Sequence, residues 1–213
     1  GEDADEALAG GEEVADFGQV DGAEVVAAMG ATLGGAEEGA RGVVDEHIIR
    51  REGGERGEAR CDGFAARVAA EGLAHRAEGL TLQLEHALAE QEDGVAIAAP
   101  QIGESIRVFV VAARASKQLT SDTVFINPEF VRIGKEKKEL SEGCLSVRWK
   151  YGTVKRATTA TVRALNIDGN EFVMSARGLL AQIFQHEIDH LDGTLFIDKA
   201  KHLEDMPPTV SSK

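Results

Sequence analysis

The sequence predicts an α+β domain in which antiparallel strands surround one central helix, preceded by a long segment of different character. Three observations lead there. Short runs of apolar and β-branched residues follow one another with turn signals between them. One turn, Asn166-Ile167-Asp168-Gly169-Asn170, is a strong hairpin signal because Gly169 tolerates positive φ. After the strands comes a single clear helical pattern whose inward face carries ionisable groups.

In chain order, Leu80, Leu84, Ala87 and Leu88 keep to one side of a helix expected to end before Asp93-Gly94 and to pack outside the strands. Ile106–Ala113 reads as a buried strand, and Val124–Asn127 as a short one stopped by Pro128. Glu136–Leu140, Thr158–Leu165 and Glu171–Met174 are further strands, several with period-two alternation. Ser175 is the expected N-cap of the second helix, and Gly193 its stop. Between them Leu179, Leu180, Ile183, Glu187 and His190 recur at helical spacing, with His186 beside them. A face that should be buried yet bears such groups is where chemistry is expected.

The chain has 213 residues, enough for one domain with a full core, and a net charge of −14 that is unevenly placed. Residues 1–90 hold 21 acids against 7 arginines, whereas residues 91–213 hold 16 acids and 16 bases. No direct nucleic-acid binding is expected, because phosphate neutralisation needs basic clusters. No apolar run approaches the ~20 residues that cross a bilayer, and the acidic start does not read as a secretory signal. No membrane association is expected. With only two cysteines, Cys61 and Cys144, a reducing, cytoplasmic setting fits best. Residues 1–79 form an acidic Gly/Ala/Glu-rich segment without lysine, proline, serine, asparagine, tyrosine or tryptophan. It reads either as a poorly ordered extension or as a stretch that is not native coding sequence. Residues 80–200 read as an ordinary globular domain, and 201–213 as a short polar tail.

Three stretches carry chemistry. In Gln185-His186-Glu187-Ile188-Asp189-His190, positions i and i+4 of a helix can aim both imidazoles at one metal ion, a metal-binding HExxH helix. Glu187 would flank the ion without binding it, placed to take a proton from water. Asp189 is a candidate to hold a histidine's second ring nitrogen. A third ligand is needed. His202, Glu204 and Asp205 lie in the tail, with little to hold them rigidly; Cys144, in Ser141-Glu142-Gly143-Cys144-Leu145-Ser146, is the better choice. A thiolate with two imidazoles makes a compact tetrahedral site whose fourth position stays open. The last stretch, Gly94-Val95-Ala96-Ile97-Ala98-Ala99-Pro100-Gln101, reads as a small-residue turn that lets a substrate backbone approach. Gln101 is its only side chain with a hydrogen-bond donor.

GVAIAAPQ, EGCLS and QHEIDH, in that order, resemble the three motifs of the peptide deformylase family, from about Leu80 to Lys199. The resemblance implies metal-dependent removal of the N-formyl group from N-formylmethionyl nascent peptides, releasing formate. It implies Cys144, His186 and His190 as ligands of one Fe²⁺ or Zn²⁺ ion per chain, and Glu187 as general base and acid. The Gln101 amide and the Leu145 backbone N–H would stabilise the oxyanion. Val95, Leu140, Leu179 and Ile183 would line the methionine pocket, with Ala96 and Glu142 also at substrate-binding positions and Glu142 paired to Arg156. Ala96 replaces the family's usual second glycine of the first motif. Arg148 stands where proline commonly follows, with Trp149 and Tyr151 just beyond, and these should alter the cleft. The usual N-terminal P-x-L-R segment is not recognisable in residues 1–79, and the tail is expected to lack a long ribosome-docking helix, so that any ribosome contact would be transient. Two alternatives stand beside this reading: a deformylase-like protein that binds metal or formylated peptides without turnover, and a zinc endopeptidase, which leaves Cys144 unexplained.

Overall fold

The expected first helix forms as α1, Leu73–Ala89, in the computed structural model, which describes residues 73–91 and 93–207. The reading of the acidic N-terminal segment falls almost wholly outside those residues. Leu80, Leu84, Ala87 and Leu88 are buried on one face of α1, as a 3.6-residue period requires. The chain then builds a five-stranded antiparallel sheet from β1 (Ala96–Ala98), β2 (Val108–Val111), β3 (Thr123–Ile133), β6 (Thr159–Leu165) and β7 (Glu171–Arg177), paired in that order. A second sheet joins β4 (Lys137–Cys144), β5 (Val147–Ala157) and β8 (Lys201–Asp205), with β5 in the middle. Helix α2, Gly178–Leu191, touches strands of both sheets. The class is α+β, as expected.

Strand β2 shows why its sequence is apolar throughout rather than alternating. Val108 and Val110 join Leu84, Leu88, Ile97 and Ile126 on the α1 side, while Phe109 and Val111 join Phe125, Phe184 and Ile188 on the α2 side. Both faces of the sheet are covered, so both sets of side chains leave water. The hairpin between β6 and β7 is closed as predicted. Gly169 has φ 80, Asn166 N–H donates to Asn170 O at 2.9 Å, and Asn170 N–H donates to Asn166 Oδ1 at 2.8 Å.

Several boundaries differ from expectation. Pro128 does not stop β3; pairing with β6 shifts register between Ile126 and Glu129, and Asn127 has φ 51. The missing N–H thus falls in an irregular stretch, where proline is tolerated within a strand. Ser175 is not a cap but part of β7, which continues to Arg177. Gly178, at φ 59, makes the sharp entry into α2, its N–H donating to Thr158 O at 3.2 Å. Gly193, at φ 72, follows the end of α2 as expected. The start of the anticipated polar tail is strand β8, paired to β5 at Lys150↔Asp205 and Tyr151↔Glu204.

Candidate metal and catalytic site

Helix α2 sets His186 and His190 one turn apart, both buried, with their Nε2 atoms 3.2 Å from each other. Strand β4 ends on Cys144, whose Sγ lies 3.2 Å from His190 Nε2. The three ligand atoms fall within 4.8 Å of one another. Gly143, just before Cys144, lets β4 lie close against β5, since a Cβ there would lie 2.6 Å from Tyr151 Cε1. Burial pushes the Cys144 thiol up, but His190 and His186 outweigh that and hold it well below the usual thiol range. Burial pulls His186 down, yet Cys144 and Glu142 keep it well above the usual imidazole range. A thiolate and two imidazoles converging in a buried spot are the donor set that suits Zn²⁺ or Fe²⁺.

Behind His186 stands a buried charge network. Glu142 Oε2 lies 3.2 Å from His186 Nδ1, while Arg156 donates from Nε to Glu142 Oε1 at 2.7 Å and from Nη2 to Oε2 at 2.8 Å. Arg156 Nη1 reaches Asp189 Oδ2 at 2.6 Å, and Lys199 Nζ donates to Asp189 Oδ1 at 2.6 Å. Burial pushes the Glu142 carboxyl up, but the bonds from Arg156 and His186 prevail and bring it down to about 2. The expected Glu142–Arg156 pair is therefore present. Asp189 does not hold a histidine; Glu142 does so, and Asp189 anchors Arg156. Gln182, which sequence reasoning passed over, donates to Ser141 O at 3.0 Å and to Glu142 Oε1 at 3.3 Å. Gln185 ties α2 to β5, accepting from Ala157 N–H at 2.9 Å and donating to Ala157 O at 3.0 Å. The only signal for either was an amide on the inner face of an otherwise apolar helix.

Glu187 is buried, and among the described residues its Oε2 has no hydrogen-bond partner. Burial pushes its carboxyl up to about 7. Gln101 is also buried, in the 3-10 turn Ala99–Ile102 that follows β1. Its Oε1 accepts from Ala98 N–H at 2.8 Å, which points Nε2 toward Ser146 Oγ at 2.9 Å and Cys144 Sγ at 3.7 Å. Leu145 follows the cysteine and is buried against the α1 side. Val95, Ala96 and Ile183 share one apolar cluster, with Leu179 packed against it; Leu140 sits half-buried on β4, opposite Val154. His202, Glu204 and Asp205 are exposed on β8 and take no part in the cluster of ligand atoms.

Residues 65–206 match the family model for polypeptide deformylase. Peptide deformylase 1 of Clostridium perfringens is 45% identical over 108 residues, covering 51% of this chain and 71% of that protein. Among solved structures, the class I type b peptide deformylase of Acinetobacter baumannii, bound to Met-Ala-Ser, aligns with TM-score 0.59 and 35% identity over 64% of this chain and 89% of that one. Peptide deformylase from Thermotoga maritima aligns with TM-score 0.59 and 30% identity, over 65% and 88%.

Proposed function

This chain belongs to the polypeptide deformylase family, and from that premise we infer that it is a metal-dependent hydrolase that removes the N-formyl group from nascent peptides. The observation that carries the assignment of residues is the convergence of Cys144, His186 and His190 beside the unpartnered Oε2 of Glu187. In this reading residues 80–200 are the catalytic domain, working in the cytoplasm with transient ribosome contact. Cys144, His186 and His190 hold one Fe²⁺ or Zn²⁺ ion, the latter two from the HExxH helix α2. Val95, Leu140, Leu179 and Ile183 receive the methionine side chain, with Ala96 and Glu142 beside the substrate.

When bound, such an ion supplies Lewis-acid charge and makes water a competent nucleophile near neutral pH. Glu187 takes the proton of the attacking water at a carboxylate oxygen. With its carboxyl raised to about 7 it can also return that proton to the leaving amine. As the formyl oxygen gains charge, Gln101 Nε2 and the Leu145 N–H donate to it. Gln101 can do so without searching rotamers, since Ala98 N–H already fixes its other end. Glu142, backed by Arg156, keeps the His186 ring oriented through Nδ1.

The test is formate release from a formyl-Met peptide, by protein purified without oxygen and assayed for bound metal. Cys144→Ala should abolish both metal and formate release. Full metal retention in that variant would remove Cys144 from the ligand set and revive the endopeptidase alternative. Glu187→Gln should keep its metal while formate release falls about 10²–10⁴-fold. Near-normal release there would remove Glu187 as the base.

A further inference from the structure

Strands β4 and β5 pair from Lys137↔Ala157 to Gly143↔Tyr151, and then the register jumps to Cys144↔Val147. The jump leaves Arg148, Trp149 and Lys150 without partners on β4, as a bulge pushed out beside Cys144. All three side chains are exposed. Trp149 adopts φ 65, where a bulky residue is strained, and the residue is 39% exposed. Strain maintained at the rim of a site, in a residue that still leaves part of its surface to solvent, points to a use for that residue.

The surroundings hold the bulge in place. Met206 N–H donates to Trp149 O at 2.7 Å, and Lys150 Nζ meets Asp205 Oδ1 at 2.6 Å, so β8 braces one side. On the other side Arg148 donates from its guanidinium to Gln91 Oε1, and its Cζ lies 5.9 Å from the Trp149 ring centroid. Gln91 packs where Gly94 meets Leu145: a Cβ on Gly94 would lie 3.1 Å from Gln91 Cβ and 3.3 Å from Leu145 Cδ1. Arg148 therefore bonds a residue, Gln91, that packs beside the contact of Gly94 with Leu145, the residue after Cys144. Lys150 has its charge matched by Asp205, whereas Arg148 has only a neutral amide and a ring; among the described residues no carboxylate pairs with it. Asp93 also faces this corner: burial and Asp93 push the Tyr151 hydroxyl up, against the pull of Arg148.

We propose that the Arg148–Trp149 bulge is a subsite for the peptide residues that follow the formylmethionine, with Trp149 as a stacking surface and Arg148 favouring an acidic side chain over a basic one. The proposal rests on the hydrolase reading for the direction in which the peptide runs. Trp149 is the only tryptophan of the chain, so its emission reports on this subsite alone. Titrating the metal-loaded protein with Met-Asp-Ser and Met-Lys-Ser should change that emission. The acidic tripeptide should bind about twofold to fivefold tighter, the range of an exposed ion pair. Arg148→Ala should bring the ratio to about one and Arg148→Glu should invert it. Unchanged emission, equal affinities in the parent, or a ratio that survives Arg148→Ala would overturn the proposal. Absence of formate release from formyl-Met amide in the parent would instead sink the hydrolase reading, with the emission titration still deciding the subsite.

Discussion

Helix α2 is buried on two sides, and the two sides hold it by different means. Toward the five-stranded sheet it presents Leu180, Ile183 and Phe184. Phe184 meets Phe125 edge-on at a centroid distance of 5.1 Å, and Phe125 stacks on Phe109 at 4.6 Å. Such contacts are non-directional, and side chains of similar volume could replace them at modest cost. Toward the three-stranded sheet α2 presents Gln182, His186 and Asp189, each bonded to Glu142 or Arg156 at a particular atom. Removing one member of such a buried network leaves its partners unpaired, so that side is sensitive to single substitutions. The apolar side gives α2 its packing, and the polar side fixes the orientation of His186.

The sharpest way to separate the two is to damage the apolar side alone. Phe184→Ala should cost about 3–5 kcal/mol of stability by chemical denaturation, while the folded fraction keeps its metal affinity. Loss of metal affinity in protein that remains folded would show that the phenylalanine cluster also sets the ligand geometry. Acid attacks the polar side. The Glu142 carboxyl is held at about 2 against an ordinary 4.5, a depressed value, so its contribution is fully present above pH 4.5 and lost as the pH falls through about 2. The size is about 3 kcal/mol. Denaturation of the metal-free protein between pH 5 and 2 should lose this amount in the parent and visibly less in Glu142→Gln; equal losses would mean that other carboxylates carry the acid sensitivity. At neutral pH the same Glu142→Gln variant should bind metal about 10–100-fold more weakly, because His186 loses the carboxylate behind its Nδ1.

These two sides were not equally legible in the sequence. Leu80, Leu84, Ala87 and Leu88 announced α1 because a single apolar stripe needs nothing but its own period. The hairpin at Asn166–Asn170 and the His186 and His190 pair were likewise readable from local spacing, whereas Cys144 was reached by weighing it against the tail residues. The partners of those residues were harder to find. Asp189 looked like the support for a histidine because it is close in sequence, yet the support comes from Glu142, 44 positions away across the sheet. Strand β8 was invisible because all five of its residues are exposed, so it has no alternation to read. β1, with the sequence AIA, lacks a run of β-branched residues and is a strand through its pairing to β2. The start of α2 was misplaced because Gly178, with its positive φ, makes the turn that Ser175 was expected to make.

The smallest effect tests where the polar side ends. Asp189 accepts from buried Arg156 on one oxygen and from Lys199 on the other, but Lys199 is 41% exposed. An ion pair of that kind is worth about 0.2–1 kcal/mol, and salt screens it. Arg156 would still hold both Glu142 and Asp189 after Lys199→Ala. The variant should therefore lose at most about 1 kcal/mol at low ionic strength, lose almost nothing at about 1 M salt, and bind metal as the parent does. A drop in metal affinity approaching that of Glu142→Gln would mean that the surface lysine positions Arg156, and through it His186. The boundary between the geometry-setting network and its solvated rim would then lie at Lys199 rather than at Asp189.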